Sequence, residues 1–497
     1  MVIVLVLTFL LAYLAEMPWI GRAWRAHLLQ VLIVGFFAYL AANGRAQEDL
    51  RNSFKSGPGL WLLLLVLWCA FEVAFPPTAA LGFGSILRPF SYPDLLRVAM
   101  CAGAFFAAAY FSRIAEVRVA VYTILVVGAV VALFGIAKSG SSIAGTEVTG
   151  IFGNHEQFGS FLMLLMPVAL AIGLDRNGDQ KVTISAQVIA LLLGGALLLA
   201  RTRSSWIGEF AGIVALAVLI IRNSDLKLTK ANKFQVIGPL LVLVIGFAVL
   251  VFSGEFSSLL SKRVASFTHG LEDASFNERV HRWQGASRMV YEKPVTGWGL
   301  GAFPILQKRW TGTGDSAVWA VQHGTGHSNL AHNFWVQWAA EAGGVGLILY
   351  TGAMVAFLIC GCRAVSRTPA GSRRMLLIGC IAATVTALGD MMGSPSYSYV
   401  GASSLLWMLM GIGVAVCREP KRSGETVRIA LPPSPAWVWA VSAASGMAVF
   451  GVIFVAGSHQ PAARGETVPA AQAAPQPATA PAVKAVPKPT AAPKPVK

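Results

Sequence analysis

His332-Asn333-Phe334-Trp335-Val336-Gln337-Trp338-Ala339-Ala340-Glu341 opens an apolar run that continues through Gly343-Gly344-Val345-Gly346 to Cys360, directly after the longest polar stretch inside the chain. A run of that length exceeds the ~20 apolar residues that cross a ~30 Å hydrocarbon core, so it predicts a membrane helix entered straight from a polar loop. Comparable runs recur at approximately 1–16, 27–42, 59–75, 95–111, 117–137, 157–174, 183–200, 205–221, 235–252, 375–392, 400–417 and 436–457, with 333–360 the tenth of thirteen. In hydrocarbon each backbone amide must find its partner within its own segment, and only helices do this without a closed barrel. The fold class that follows is an all-α polytopic membrane protein of about 12–13 transmembrane helices, with one long polar loop carrying amphipathic helices.

Composition supports that class. The 497 residues are 55% hydrophobic and 12% charged, with a mean hydropathy of +0.63, which excludes an ordinary soluble globule. The chain divides into N-terminal transmembrane helices (1–252), the polar loop (253–332), C-terminal transmembrane helices (333–457) and an Ala/Pro/Lys-rich tail (458–497). The tail has too little apolar surface to fold and is expected to be disordered. The first run has neither a basic start nor a small-residue cleavage site and is expected to be a retained helix. All six cysteines lie in or beside apolar runs, so a disulfide-stapled external domain is not expected.

The net charge of +16 is largely an orientation signal. With the N-terminus in the cytoplasm, segments 43–58, 112–118, 175–182, 222–234, 361–374 and 418–428 lie inside, and every one is basic, as the positive-inside rule requires. No basic stripe interleaved with aromatics points to nucleic acid. The long loop then faces outward, as does the tight turn Arg201-Thr202-Arg203-Ser204. Two guanidinium groups at a helix corner are costly unless paired or facing a cavity, and a phosphate ligand satisfies them through bidentate forks. The alternative is that both snorkel to lipid headgroups.

Within the loop, Arg279, Arg282, Trp283, Ala286 and Val290 recur at three- and four-residue spacing, which predicts an amphipathic helix with an arginine edge. Pro294 and Gly297-Trp298-Gly299-Leu300-Gly301 then predict a compact turn, in which Trp298 is either a face for a sugar or a packed residue. His323, His327 and His332 invite a metal reading, but Gly324 and Gly326 break the helix that would align the first two, and no carboxylate or cysteine completes a set. No metal and no cofactor are expected. His332, at the lip of a membrane helix, is placed to accept a proton from a hydroxyl or simply to cap the helix end.

These residues resemble the signature of the O-antigen ligase and polymerase superfamily of bacterial membrane glycosyltransferases. His332-Asn333 followed by Gly343-Gly344-Val345-Gly346, with Glu341 between, is similar to that family's His-Asn and Gly-x-x-Gly pattern. Arg279-Val280-His281-Arg282-Trp283 with Gly297-x-Gly299-x-Gly301 resembles its Arg-x-x-x-Trp segment and glycine-rich sequel. Thr202-Arg203-Ser204-Ser205-Trp206 resembles its outer-corner arginine, and Gly150-Ile151-Phe152-Gly153-Asn154 an earlier block. The resemblance implies an undecaprenyl-diphosphate-linked glycan donor, membrane lipids as surroundings, and transfer to lipid A-core, a growing glycan or a protein. It implies an inner-membrane location with the long loop and the site in the periplasm. His332 would be catalytic, Arg203 and Arg279 would bind the diphosphate with Arg201 and Arg282 beside them, and Asn333, Trp283 and Glu341 would support.

Ligase, polymerase and protein O-oligosaccharyltransferase remain open within that resemblance. The alternative of another class is a transporter of an anionic lipid or solute, for which internal repeats and charges at mid-membrane are the usual marks. No repeat is evident, and the within-span acids Glu72, Glu209 and Asp390 are expected to pair with polar neighbours.

Overall fold

The computed structural model describes residues 57–77, 84–109, 114–139, 148–152, 154–175, 177–223, 274–307, 310, 330–417 and the single positions 444 and 447. The side chains of 84–90, 114–116, 138–139 and 274–277 lie outside that description. So do the apolar runs 1–16, 27–42 and 235–252, the run 436–457 apart from positions 444 and 447, the tail, His323 and His327.

The described residues form an all-α polytopic membrane protein. In chain order its helices are α1 (Gly57–Ala74), α2 (Gly84–Ala109), α3 (Ile114–Ser139), α4 (His155–Gly173), α5 (Gln180–Ala200), α6 (Arg203–Asn223), α7 (Ala274–Glu292), the short α8 (Phe303–Leu306), α9 (Phe334–Val365), α10 (Ser372–Asp390) and α11 (Val400–Val416). Seven of them, α1, α3, α4, α5, α6, α9 and α10, are long and apolar enough to cross a membrane.

Helix α4 is the centre. It is apolar on all sides and wholly buried, the pattern of a helix surrounded by other helices rather than by lipid. Helices α5, α6 and α10 pack on it, α10 also packs along α6, α11 along α2, and α9 along α1. Small residues bring α6 and α10 together: a Cβ on Gly389 would lie 2.8 Å from the Cα of Gly208. In lipid, where hydrocarbon gives no hydrophobic drive between helices, such close backbone approach is a principal source of association.

Ionisable side chains sit inside this packing, among them Arg97, Asp390 and Glu209. Arg97 of α2, at 5% exposure, pairs with Asp94 at 3.0 Å, donates to the carbonyl of Tyr397 at 2.7 Å and lies 5.6 Å from the ring centre of Trp338. An ion pair, a carbonyl acceptor and a ring face offset the cost of burying a guanidinium in a membrane. Asp390, with no exposed surface, accepts from Ser160 at 2.8 Å and Ser205 at 3.1 Å, joining α4, α6 and α10. The expected polar pairing holds for Asp390 and fails for Glu209, whose buried carboxyl oxygens have no hydrogen-bond partner among the described residues.

Helix α9 is broken. Gly343 has φ 63° and ψ −173°, which separates 334–342 from 344–365. The turn predicted after Pro294 fills the break: Trp298 and Gly299 donate to the carbonyls of Ala340 and Glu341, and Gly344 donates to the carbonyl of Pro294, all at 2.8–2.9 Å. Trp298 is packed, at 3% exposure, against Trp310 with 4.6 Å between ring centres, and its Nε1 donates to the Met289 carbonyl at 2.9 Å. Of its two sequence readings, the structure selects the packed residue.

Candidate functional site

The site begins with the first turn of α4. Asn154 is the N-cap, accepting from the amide of Glu156 at 2.8 Å, and this places the Glu156 carboxylate at the helix end whose exposed amides favour negative charge. Beside it stands the α5–α6 corner. Arg201 caps α5 in the left-handed conformation, φ 56°, a place that usually favours glycine, and Arg203 opens α6. The Thr202 hydroxyl between them donates to the carbonyl of His155 at 3.2 Å, so the double-arginine corner is tied to the turn that carries Glu156.

The C-terminal end of α10 forms the floor. Past Asp390, the carbonyl of Met391 accepts from the amide of Phe334 at 2.9 Å, and the carbonyl of Gly393 accepts from Arg279 at 3.0 Å. Helix α7 thereby closes on the bundle. From it the second arm of the Arg279 guanidinium reaches Glu156 Oε1 at 3.2 Å.

His332 arrives at the same oxygen from another direction. Three side chains fix the chain just ahead of it: Arg282 donates to the Leu330 carbonyl at 2.7 Å, Trp283 Nε1 donates to the Ala331 carbonyl at 2.7 Å, and the Ala331 amide donates to Gln337 at 3.1 Å. Held in this way, His332 adopts φ 50°, which costs a non-glycine residue about 1–2 kcal/mol. Its Nδ1 lies 3.1 Å from Glu156 Oε1. A carboxylate already held by a guanidinium accepts from Nδ1–H, and that tautomer leaves Nε2 as the basic atom of the ring.

The sequence-predicted residues therefore fall into separate groups. His332 and Arg279 converge on Glu156, and Arg201 and Arg203 stand at the corner bound to its turn. Arg282, expected beside the diphosphate, is engaged with the Leu330 carbonyl and in an ion pair with Glu278. Trp283 holds Ala331, and Asn333 is the N-cap of α9, accepting from Val336 at 3.2 Å. Glu341 turns toward the glycine-rich turn, where it accepts from the amide of Phe303 at 3.2 Å and from Gln337 at 3.3 Å.

Sequence reasoning missed Glu156, Gln337 and the floor at Gly393. For Glu156 a signal existed: an Asn N-cap followed two residues later by an acid opens a membrane run at the end of the Gly150–Asn154 block. Among the described residues no cluster of three His, Cys, Asp or Glu side chains is arranged to hold a metal.

What the arrangement offers chemically is a histidine with an oriented ring, beside guanidinium groups able to hold phosphate oxygens. Residues 188–351 match the O-antigen ligase family model, and the resemblance to that superfamily holds. The matched segment contains Arg201, Arg203, Arg279, His332 and Glu341, whereas Glu156 and Gly393 lie outside it. No curated protein matches the chain.

Proposed function

We propose that this chain, with its O-antigen ligase segment, transfers a glycan from an undecaprenyl-diphosphate carrier to an acceptor hydroxyl at the periplasmic face of the inner membrane. The observation that carries the proposal is the meeting of His332 and Arg279 on Glu156, next to the Arg201–Arg203 corner. A ligand whose reacting carbon is bonded to a diphosphate suits that pairing of one base with a fixed cation and an adjoining double-arginine corner.

In this mechanism His332 Nε2 takes the proton of the acceptor hydroxyl as its oxygen bonds to the anomeric carbon. The bond from that carbon to the diphosphate oxygen breaks, and the electron pair leaves on the diphosphate. Arg203 and Arg279 hold the leaving group with Arg201 beside them. Their attraction grows as charge develops on the departing oxygen, so they lower the barrier rather than merely bind. The imidazolium then passes its proton to solvent. Attack opposite the leaving group inverts the anomeric centre. Arg282 and Trp283 serve by fixing the backbone that presents His332.

The test is transfer by wild type, His332→Ala and Arg279→Ala in proteoliposomes, following glycan on the carrier by gel and mass spectrometry. The proposal expects both variants to insert normally, to lose transfer and to accumulate lipid-linked donor. Undiminished transfer by either variant would overturn it, and an anomeric configuration retained in the product would refute the displacement.

A further inference from the structure

We infer that Glu156 is a positioning residue shared between donor and base: it holds Arg279 and His332 through one oxygen and is left to His332 alone when a diphosphate takes the guanidinium. The inference rests on the proposed transfer and adds an order to it, donor before acceptor.

Both contacts use the same oxygen. Arg279 lies 3.2 Å and His332 Nδ1 3.1 Å from Glu156 Oε1, so the two donors share one atom, whose two lone pairs serve both. Accessibility separates them. The Arg279 side chain is 29% exposed, against 18% for His332 and 7% for Glu156, so an incoming anion reaches the guanidinium first and the carboxylate last. Arg279 can also change partners without losing its place, because its other arm stays on the Gly393 carbonyl at 3.0 Å.

Exchange has a direction. A carboxylate facing a guanidinium and an imidazole divides its attraction between them. Once phosphate oxygens take the guanidinium, the attraction falls on His332, which fixes the ring orientation and favours the imidazolium that forms during transfer. Among the described residues, the charged and titratable groups that act on Glu156 are His332, Arg279, His155 and Asp390, and Arg279 is the one whose partner the ligand replaces. By linkage, whatever ties Arg279 down opposes diphosphate binding to the same extent.

The experiment is a double-mutant cycle on the detergent-solubilised full chain, with Glu156→Gln, Arg279→Ala and the pair, read by inorganic pyrophosphate binding and by transfer in proteoliposomes. Glu156→Gln should bind pyrophosphate about fivefold more tightly, the low end of site-to-site coupling because solvent screens a partly exposed pair. The same variant should lose about 100-fold or more in kcat, the usual scale for a misdirected base. In the Arg279→Ala background the gain in pyrophosphate affinity should vanish. A purely structural role for Glu156 would weaken binding and kcat together, and simple charge repulsion would tighten binding with or without Arg279. Either result overturns the inference. If instead Arg279→Ala binds pyrophosphate like wild type, the assignment of Arg279 to the diphosphate fails, and the transfer proposal with it. Glu156→Asp, one methylene shorter and unable to serve both partners, supplies the same cycle if Glu156→Gln is not recovered folded.

Discussion

Gly297 and Gly343 occupy one another's missing side chains. A Cβ on Gly343 would lie 2.6 Å from the amide nitrogen of Gly297 and 2.1 Å from the Val295 carbonyl oxygen. A Cβ on Gly297 would lie 2.6 Å from the nitrogen of Gly343 and 2.4 Å from the Glu341 carbonyl oxygen. Both residues have positive φ, 62° and 63°. The contact is backbone against backbone, so no rotamer change relieves it.

Alanine at either position should therefore cost about 3 kcal/mol or more, combining left-handed strain with overlap in a packed contact. Thermal unfolding in detergent would show this as a large loss of folded protein. A wild-type melting curve for Gly343→Ala would mean that the two segments do not interlock.

Trp283→Phe removes the indole N–H together with its five-membered ring and keeps a six-membered aromatic ring in place. The Ala331 carbonyl loses its donor, which with the lost packing should cost about 2 kcal/mol of stability. Because Ala331 precedes His332, transfer should fall about tenfold or more as the base is displaced. Pyrophosphate binding should stay at its wild-type value, and a matching loss of binding would show that Trp283 acts on the diphosphate side instead.

Asp390→Ala strands two buried hydroxyls, Ser160 and Ser205, at the junction of α4, α6 and α10. A loss of about 3 kcal/mol is expected, measured as a lowered unfolding midpoint, with Asp390→Asn milder because its carbonyl still accepts one of the two. Equal melting of the alanine variant and wild type would exclude Asp390 as a tie between helices.

Arg201→Gly separates backbone from side chain. Glycine accepts φ 56° without the penalty of about 1–2 kcal/mol, which offsets part of what the buried Arg201 side chain contributes, so the variant should stay folded with a small loss of stability. If the guanidinium helps to hold diphosphate, transfer should nevertheless fall about tenfold, in line with the loss of one charged contact. Full transfer would take Arg201 off the diphosphate.

Much of the architecture was legible because lipid imposes a simple demand. The runs at 59–75, 117–137, 157–174, 183–200, 205–221, 333–360 and 375–392 all fall on helices that are long and apolar enough to span, and the three- and four-residue spacing of Arg279 to Val290 falls on α7. What stayed hidden has no local pattern. Glu156 and His332 are 176 residues apart, and nothing in either neighbourhood encodes the other. Arg97 was absorbed into an apolar run, because one paired charge does not interrupt the periodicity. Gly343-Gly344 belongs to the resemblance, but a glycine within a helical pattern is ordinarily tolerated, and only the distant Pro294 turn makes a break of it.

The break also sets a depth. Unbroken, a helix from Phe334 to Val365 would be about 48 Å long, well beyond a ~30 Å hydrocarbon core. Cut at Gly343, the portion from Gly344 to Val365 measures about 33 Å and by itself matches the core, while Phe334–Ala342 is clasped by the 294–299 turn. His332 lies two residues ahead of that clasped segment. Its placement is thus set by protein packed on protein, and the proposed reaction on a membrane-held carrier would keep its meeting place when the bilayer thins or thickens.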